Sequence, residues 1–98
     1  MDVIVRFGDA LTEDLFNGSK SARARRVPPD VRARALLRLE AINLATVIED
    51  LKVPPSNRLE QLAGDRAGFW SIRVNDQWRI IFKFEGGNAS EVRFLDYH

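Results

Sequence analysis

The chain has 98 residues, with 15 Lys and Arg, 14 Asp and Glu and one His, for a formal net charge of +1; 45% of it is hydrophobic and 30% charged, the balance of a soluble globular protein with one core. It has no Cys, which excludes a disulfide framework, a thiolate metal site and a Cys nucleophile, and no metal or other cofactor is expected. No apolar run approaches the roughly 18 residues of a membrane span, and the start MDVIVRFGDA is no signal peptide, so a cytoplasmic protein without a membrane partner is expected.

Met1 to Phe7 places Val3, Val5 and Phe7 on one side and Ile4 on the other, which predicts a first strand. Asp9 is placed to cap a helix through Phe16, with Glu13 and Asp14 adding favourable charge early in it. Leu11, Leu15 and Phe16 form its apolar edge, and Gly18 suits a left-handed stop. Lys20 to Val27 has no apolar period and reads as an exposed basic connection, punctuated by Pro28-Pro29-Asp30. A second helix from about there buries Val31, Ala35, Leu36, Leu39 and Ile42, with Arg32, Arg34 and Arg38 outside. Asn43 to Thr46 marks a break, Thr46 and Glu49 have capping-box spacing for a short helix through Leu51, and Val53 to Asn57 is a loop.

Arg58 to Leu62 alternates and predicts a short strand. The densest pattern follows: Trp70, Ile72 and Val74 alternate with Ser71, Arg73 and Asn75, then Trp78, Ile80, Phe82 and Phe84 alternate with Arg79, Ile81 and Lys83. Asn75-Asp76-Gln77 between them suits a hairpin turn. After a turn at Gly86-Gly87-Asn88, Ser90 to Tyr97 predicts a final strand. A strand, then helices, then a meander of strands indicates an α+β domain over residues 1–98, with the helices packed on one face of a mainly antiparallel sheet.

The near-neutral total hides one asymmetry: between Lys20 and Arg38 there are seven basic residues and one acid, Asp30. Such a block fits a polyanion or acidic partner, and it reads equally well as a solvated helix face. On the hairpin, Arg73 and Arg79 occupy polar positions of neighbouring strands, where two guanidinium groups can clamp a phosphate; each also reads as an ordinary solubilising residue. His98 is the only histidine, so any imidazole acid or base must be His98, although a terminal histidine is also an ordinary frayed end.

Leu62, Gly64-Asp65, Gly68-Phe69-Trp70-Ser71, Val74-Asn75, Trp78-Arg79, Phe82, Phe84 and the terminal Asp96-Tyr97-His98 together resemble the HigB-type growth-inhibiting toxins of the RelE/ParE superfamily. The resemblance extends weakly through the helices to the N-terminus. It implies a microbial-ribonuclease-like fold with a concave active surface on the sheet face opposite the helices. It implies a metal-free endoribonuclease that cuts mRNA on the ribosome, neutralised by a helix-turn-helix (HigA-like) antitoxin in a heterotetramer or larger complex. Arg79 and His98 match catalytic positions of the family motif, with Tyr97 beside them as a further catalytic candidate or a packing residue. The basic residues Arg23, Arg25, Arg26 and Arg32 would then meet ribosomal RNA.

The chain departs from the family in one segment. Where the family commonly reads His-Pro-Leu-Lys-Gly, this chain has Glu60-Gln61-Leu62-Ala63-Gly64. Glu60 is a candidate general base in place of the histidine, and Ala63 loses a positive charge that Arg58, Arg66 and Arg73 are placed to restore in part. Two other readings stay open at this stage: a homologue without cleavage that binds antitoxin and regulates its operon, and a ParE-like inhibitor of DNA gyrase.

Overall fold

An antiparallel sheet with strand order β1-β2-β3-β4 organises the computed structural model, which describes residues 2–96. Its strands are β1 (Glu60–Gln61), β2 (Trp70–Arg73), β3 (Trp78–Glu85) and β4 (Asn88–Asp96). The period-two pattern explains which face each residue takes: Ile72, Ile80, Phe82, Val92 and Phe94 are at most 2% exposed and join the helix residues in one cluster. Burial of a large apolar side chain contributes about 1.5–3 kcal/mol, so this face anchors the fold. Trp70 and Trp78 pack against the same cluster, and Trp78 stacks on Phe94 with ring centroids 4.5 Å apart and an interplanar angle of 9°. At the β2–β3 turn the Asn75 side chain accepts the amides of Gln77 and Trp78, at 2.9 and 2.8 Å.

Three helices lie on the apolar face: α1 (Ala10–Asn17), α2 (Ala22–Arg25) and α3 (Pro29–Leu44). The Asp9 carboxylate caps α1 by accepting the Thr12 amide at 2.9 Å, and Gly18, at φ 69°, closes it in the left-handed conformation that a side chain would resist. Helix α3 buries Val31, Ala35, Leu39 and Ile42 as the spacing predicts, while Leu36 is only half-buried. Thr12 joins the layers: its Oγ1 donates to Asp9 at 2.6 Å and accepts the β4 amide of Phe94 at 2.8 Å. The α+β architecture is therefore as expected.

Several local expectations are corrected. The predicted N-terminal strand is an extended segment joined to β4 by two isolated parallel bridges, Ile4 to Ala89 and Phe7 to Val92. Its neighbour is irregular, because β3–β4 pairing shifts between Ile81 and Lys83 and Glu91 has φ 52°. The segment's own amides are partly taken by α3: Asn43 Oδ1 accepts Val3 at 3.0 Å and Ile4 at 2.9 Å. Val5 is accordingly 62% exposed rather than sharing a buried side with Val3.

The basic connection contains the one-turn helix α2, capped by Ser21, with Ala24 and Val27 buried. Glu49 does not complete a capping box. Asp50 does the capping instead, its carboxylate taking the Thr46 amide and hydroxyl at 2.9 and 3.1 Å ahead of a 3₁₀ turn, Ile48–Lys52. The strand predicted over Arg58 to Leu62 shrinks to the two residues of β1.

Candidate active site on the open sheet face

Residues paired directly across antiparallel strands project to the same side. Glu60 pairs with Ser71 and Ser71 with Ile81, while Arg73 pairs with Arg79 and Arg79 with Leu95. These positions alternate with the helix-side cluster, so Glu60, Ser71, Arg73 and Arg79 gather on the face turned away from the helices. Glu60 is exposed there.

Arg79 shares this face as the alternation predicts, yet it does not project into solvent: the residue is only 8% exposed. Its Nε donates to Ser71 Oγ, and its Nη2 donates to the Arg58 carbonyl at 2.9 Å and the Ser71 carbonyl at 3.4 Å. A buried guanidinium requires such partners. They aim the group across β2 toward the start of β1. Arg58 contributes through its backbone, with φ 46° turning the chain at the end of the 3₁₀ turn Pro55–Asn57. Left-handed non-glycine residues cluster at functional sites, where their surroundings hold them in place.

Arg73 is held differently. Its Nη2 pairs with Asp76 three residues on, and its carbonyl accepts Arg38 Nε from α3 at 3.0 Å. Burial, then the neighbouring charges of Arg34 and Arg73, lower the Arg38 pKa below the usual arginine value. Three guanidinium groups thus converge where α3 meets the hairpin, and an anion approaching that edge meets concentrated positive charge.

Lys83 stands on the same side of β3 as Arg79, with its ammonium 5.2 Å from the centre of the Phe69 ring. Ala63 is exposed, and Arg66 follows it in the exposed 3₁₀ turn Gly64–Arg66. Tyr97 and His98 lie outside the described residues; Asp96, before them, pairs with Trp78 and accepts Gln77 Nε2 at 3.0 Å.

The predicted nucleic-acid block is not brought to this face. Arg23, Arg25 and Arg26 lie on and just after α2, which packs on α1, and Arg32 lies in the first turns of α3. Arg23 pairs with Asp14 at 2.6 Å, and Arg32 Nη1 donates to the Ala24 carbonyl at 3.4 Å. Sequence reading gave Ser71 and Lys83 no role at the site, and it placed Arg38 only in the basic block, not beside Arg73. The alternation already put Ser71 and Lys83 on the side of Arg79, so a signal existed for both. Nothing in the sequence marks the Arg58 carbonyl.

Comparison with known proteins agrees with the fold. Residues 4–98 match the HigB-like toxins, described as the RelE-like toxin of type II toxin-antitoxin system HigB. The chain is similar to the toxin HigB-1 of Vibrio cholerae serotype O1, with 36% identity over 94 residues, 96% of each chain. It is similar to the endoribonuclease HigB of Proteus vulgaris, with 46% identity over 61 residues that cover 62% of this chain and 65% of that one. Two solved structures share its fold. One is in the YoeB-YefM complex from Staphylococcus aureus, with TM-score 0.62 and 16% identity over 97% of this chain and 94% of that one. The other is a YoeB/ParE toxin from Agrobacterium tumefaciens, with TM-score 0.51 and 22% identity over 97% and 99%.

Proposed function

The chain belongs to the HigB-like toxins, the RelE-like toxins of type II toxin-antitoxin systems, and on that footing we propose that it is an endoribonuclease cutting mRNA on the ribosome. The observation that carries this reading is the held guanidinium of Arg79, paired across strands with Arg73 and sharing a helix-free face with Glu60. A preorganised cation of this kind stabilises charge as it develops on a phosphate, with no reorganisation during reaction.

In the proposed step, the Glu60 carboxylate takes the proton of a ribose 2′-hydroxyl. O2′ forms a bond to the adjacent phosphorus as the bond from phosphorus to O5′ breaks. The pentacoordinate transition state spreads negative charge over oxygens that face Arg79 and Arg73. His98 returns a proton to the departing O5′, with Tyr97 as the alternative donor, leaving a 2′,3′-cyclic phosphate and a free 5′-hydroxyl. Arg58 and Arg66 bind flanking phosphates, and Lys83 restores on the sheet the positive charge absent at Ala63.

The protein acts in the cytoplasm; among the described residues no helix is long and apolar enough to cross a membrane. Its partners are the ribosome with its mRNA and a helix-turn-helix antitoxin, assembled with two or more copies of each protein. The YoeB-YefM complex supports an antitoxin partner through shared fold.

Translation in a cell-free bacterial system, followed by primer extension on the message, tests the reading. Discrete cuts on translated message are expected, with their loss in Arg79→Ala shown by circular dichroism to be folded. Intact message with the folded wild-type protein would overturn it and favour a binding module without cleavage, for which Ala63 is the supporting observation.

A further inference from the structure

The guanidinium of Arg79 has two anchors of different kinds. Its Nε meets Ser71 on the neighbouring strand, and its Nη2 meets the carbonyl of Arg58, which lies before β1 and outside the strands. The first bond tethers the planar group at one point, and the second fixes its rotation about that tether. A carbonyl in a loop can do this only if the loop is itself held. Asn57, next to Arg58, is 1% exposed. Its Nδ2 donates to the carbonyls of Leu51 at 3.2 Å and Val53 at 3.4 Å, and its own backbone amide donates to the Pro54 carbonyl at 3.0 Å. Leu51 is buried in the apolar cluster, so these bonds tie the turn before Arg58 to the core. Among the described residues Asn57 Oδ1 has no hydrogen-bond partner, although it is buried. A carboxamide buried with one end unpaired is a poor space filler beside an apolar side chain of the same size. What it supplies in return is the pair of Nδ2 donors.

We propose that Asn57 is a positioning residue for Arg79, acting through Arg58 by holding the loop whose carbonyl sets the plane of the guanidinium. The inference rests on the ribonuclease reading above. The links run from Leu51 in the core through the Asn57 side chain and the left-handed Arg58 backbone, at φ 46°, to Arg79 Nη2. Each link is a hydrogen bond or a peptide bond, so releasing the loop moves the carbonyl away from the cation it orients. Misplacing a group at the reacting centre by about 1 Å costs about a hundredfold in rate. Burial keeps Asn57 itself from touching RNA, so its loss acts on the bound complex rather than on binding.

The test compares the wild-type chain with Asn57→Leu, which keeps the size of the side chain and removes its donors. Single-turnover cleavage of message on ribosomes is measured beside ¹⁵N spectra of the arginine side chains. In the wild type the Nη hydrogens of Arg79 should be resolved, because its rotation is restricted, and the side-chain amide of Asn57 should exchange slowly with solvent. Folded Asn57→Leu should lower kcat at least tenfold with KM within twofold, and the Arg79 Nη signals should average. Unchanged kcat, a change confined to KM, or a wild-type Asn57 amide that exchanges as fast as that of the exposed Asn17 would overturn the proposal. So would lower stability in Asn57→Leu with the Arg79 signals intact, which would leave Asn57 a structural role alone. If Asn57→Leu does not fold, Asn57→Ser carries the same comparison. A wild-type chain that cuts no message would remove the ribonuclease reading, while the Nη signals would still report whether Asn57 holds Arg79, so the two fail separately.

Discussion

Arg79 Nε donates to the hydroxyl of Ser71, a residue of the neighbouring strand with no exposed surface. The pair makes the direction of the guanidinium a property of the sheet rather than of a mobile side chain. Ser71→Ala removes an acceptor from a buried cation, which costs about 1–3 kcal/mol. The expected result is a modest fall in melting temperature and a loss of kcat of about tenfold or more, with KM little changed. Ser71→Thr, which keeps the hydroxyl, should recover part of kcat. Single-turnover cleavage by the three proteins checks this, and a change confined to KM would argue against a positioning role.

Arg58 separates backbone from side-chain effects. Its left-handed backbone presents the carbonyl to Arg79, and an ordinary side chain in that conformation costs about 1–2 kcal/mol. Arg58→Gly should therefore keep or slightly raise stability while weakening RNA binding through lost charge. Arg58→Ala should lose the charge without relieving the backbone. Denaturant unfolding beside an RNA-binding assay distinguishes the two contributions.

Lys83→Ala should weaken cleavage several-fold and reduce the salt dependence of RNA binding by about one phosphate contact. Stability should change by less than about 0.5 kcal/mol, since the residue is half-buried on a polar face. Binding measured across a salt series gives the slope directly.

Asn43 is nine-tenths buried, accepts two amides of the N-terminal segment and donates to Asp2 at 3.1 Å. Asn43→Ala leaves the Ile4 amide without its acceptor, while the Val3 amide keeps the backbone carbonyl of residue 43 at 3.1 Å, and should cost about 1–3 kcal/mol. Hydrogen exchange should show selective loss of protection at Ile4, with Val3 less affected. Uniform loss across the sheet would mean that the segment is not held by this side chain.

Acid sensitivity follows from Asp50 and Asp14. The amides of Thr46 and Val47, then the Thr46 hydroxyl, lower the pKa of Asp50; the Ser21 hydroxyl, ahead of Arg23, lowers that of Asp14. Both carboxyls bind protons less readily folded than unfolded. Their contribution is complete above the unfolded value of about 3.9 and disappears as the pH falls below it through the lower folded values. The stability difference between wild type and Asp50→Asn should be constant near neutrality and shrink below about pH 4. Thermal unfolding of both proteins over that range measures it.

The parts of this fold that were legible are those governed by strong local rules. Period-two alternation located β2 and β3 and put Arg73 and Arg79 on one face, while Asp9 and Gly18 bounded α1. The N-terminal strand failed because pairing also depends on the partner, and β4 is irregular at Glu91. Alternation likewise gives the side a residue takes and not what lies over it, so it could not show that Arg79 is bonded down onto Ser71.

The pairing of the N-terminal segment with β4 bears on how the protein is made. Val3 and Val5 exchange backbone hydrogen bonds with Ala89, and Thr12 meets Phe94 across 82 residues of sequence. Contacts so distant in sequence form late, after loop closure has been overcome. During synthesis the first segment has no strand to join, and β3 has a neighbour on the β2 side alone, until β4 has been made. The sheet is therefore completed, and the first segment of the chain secured, by the strand that is made last among its four.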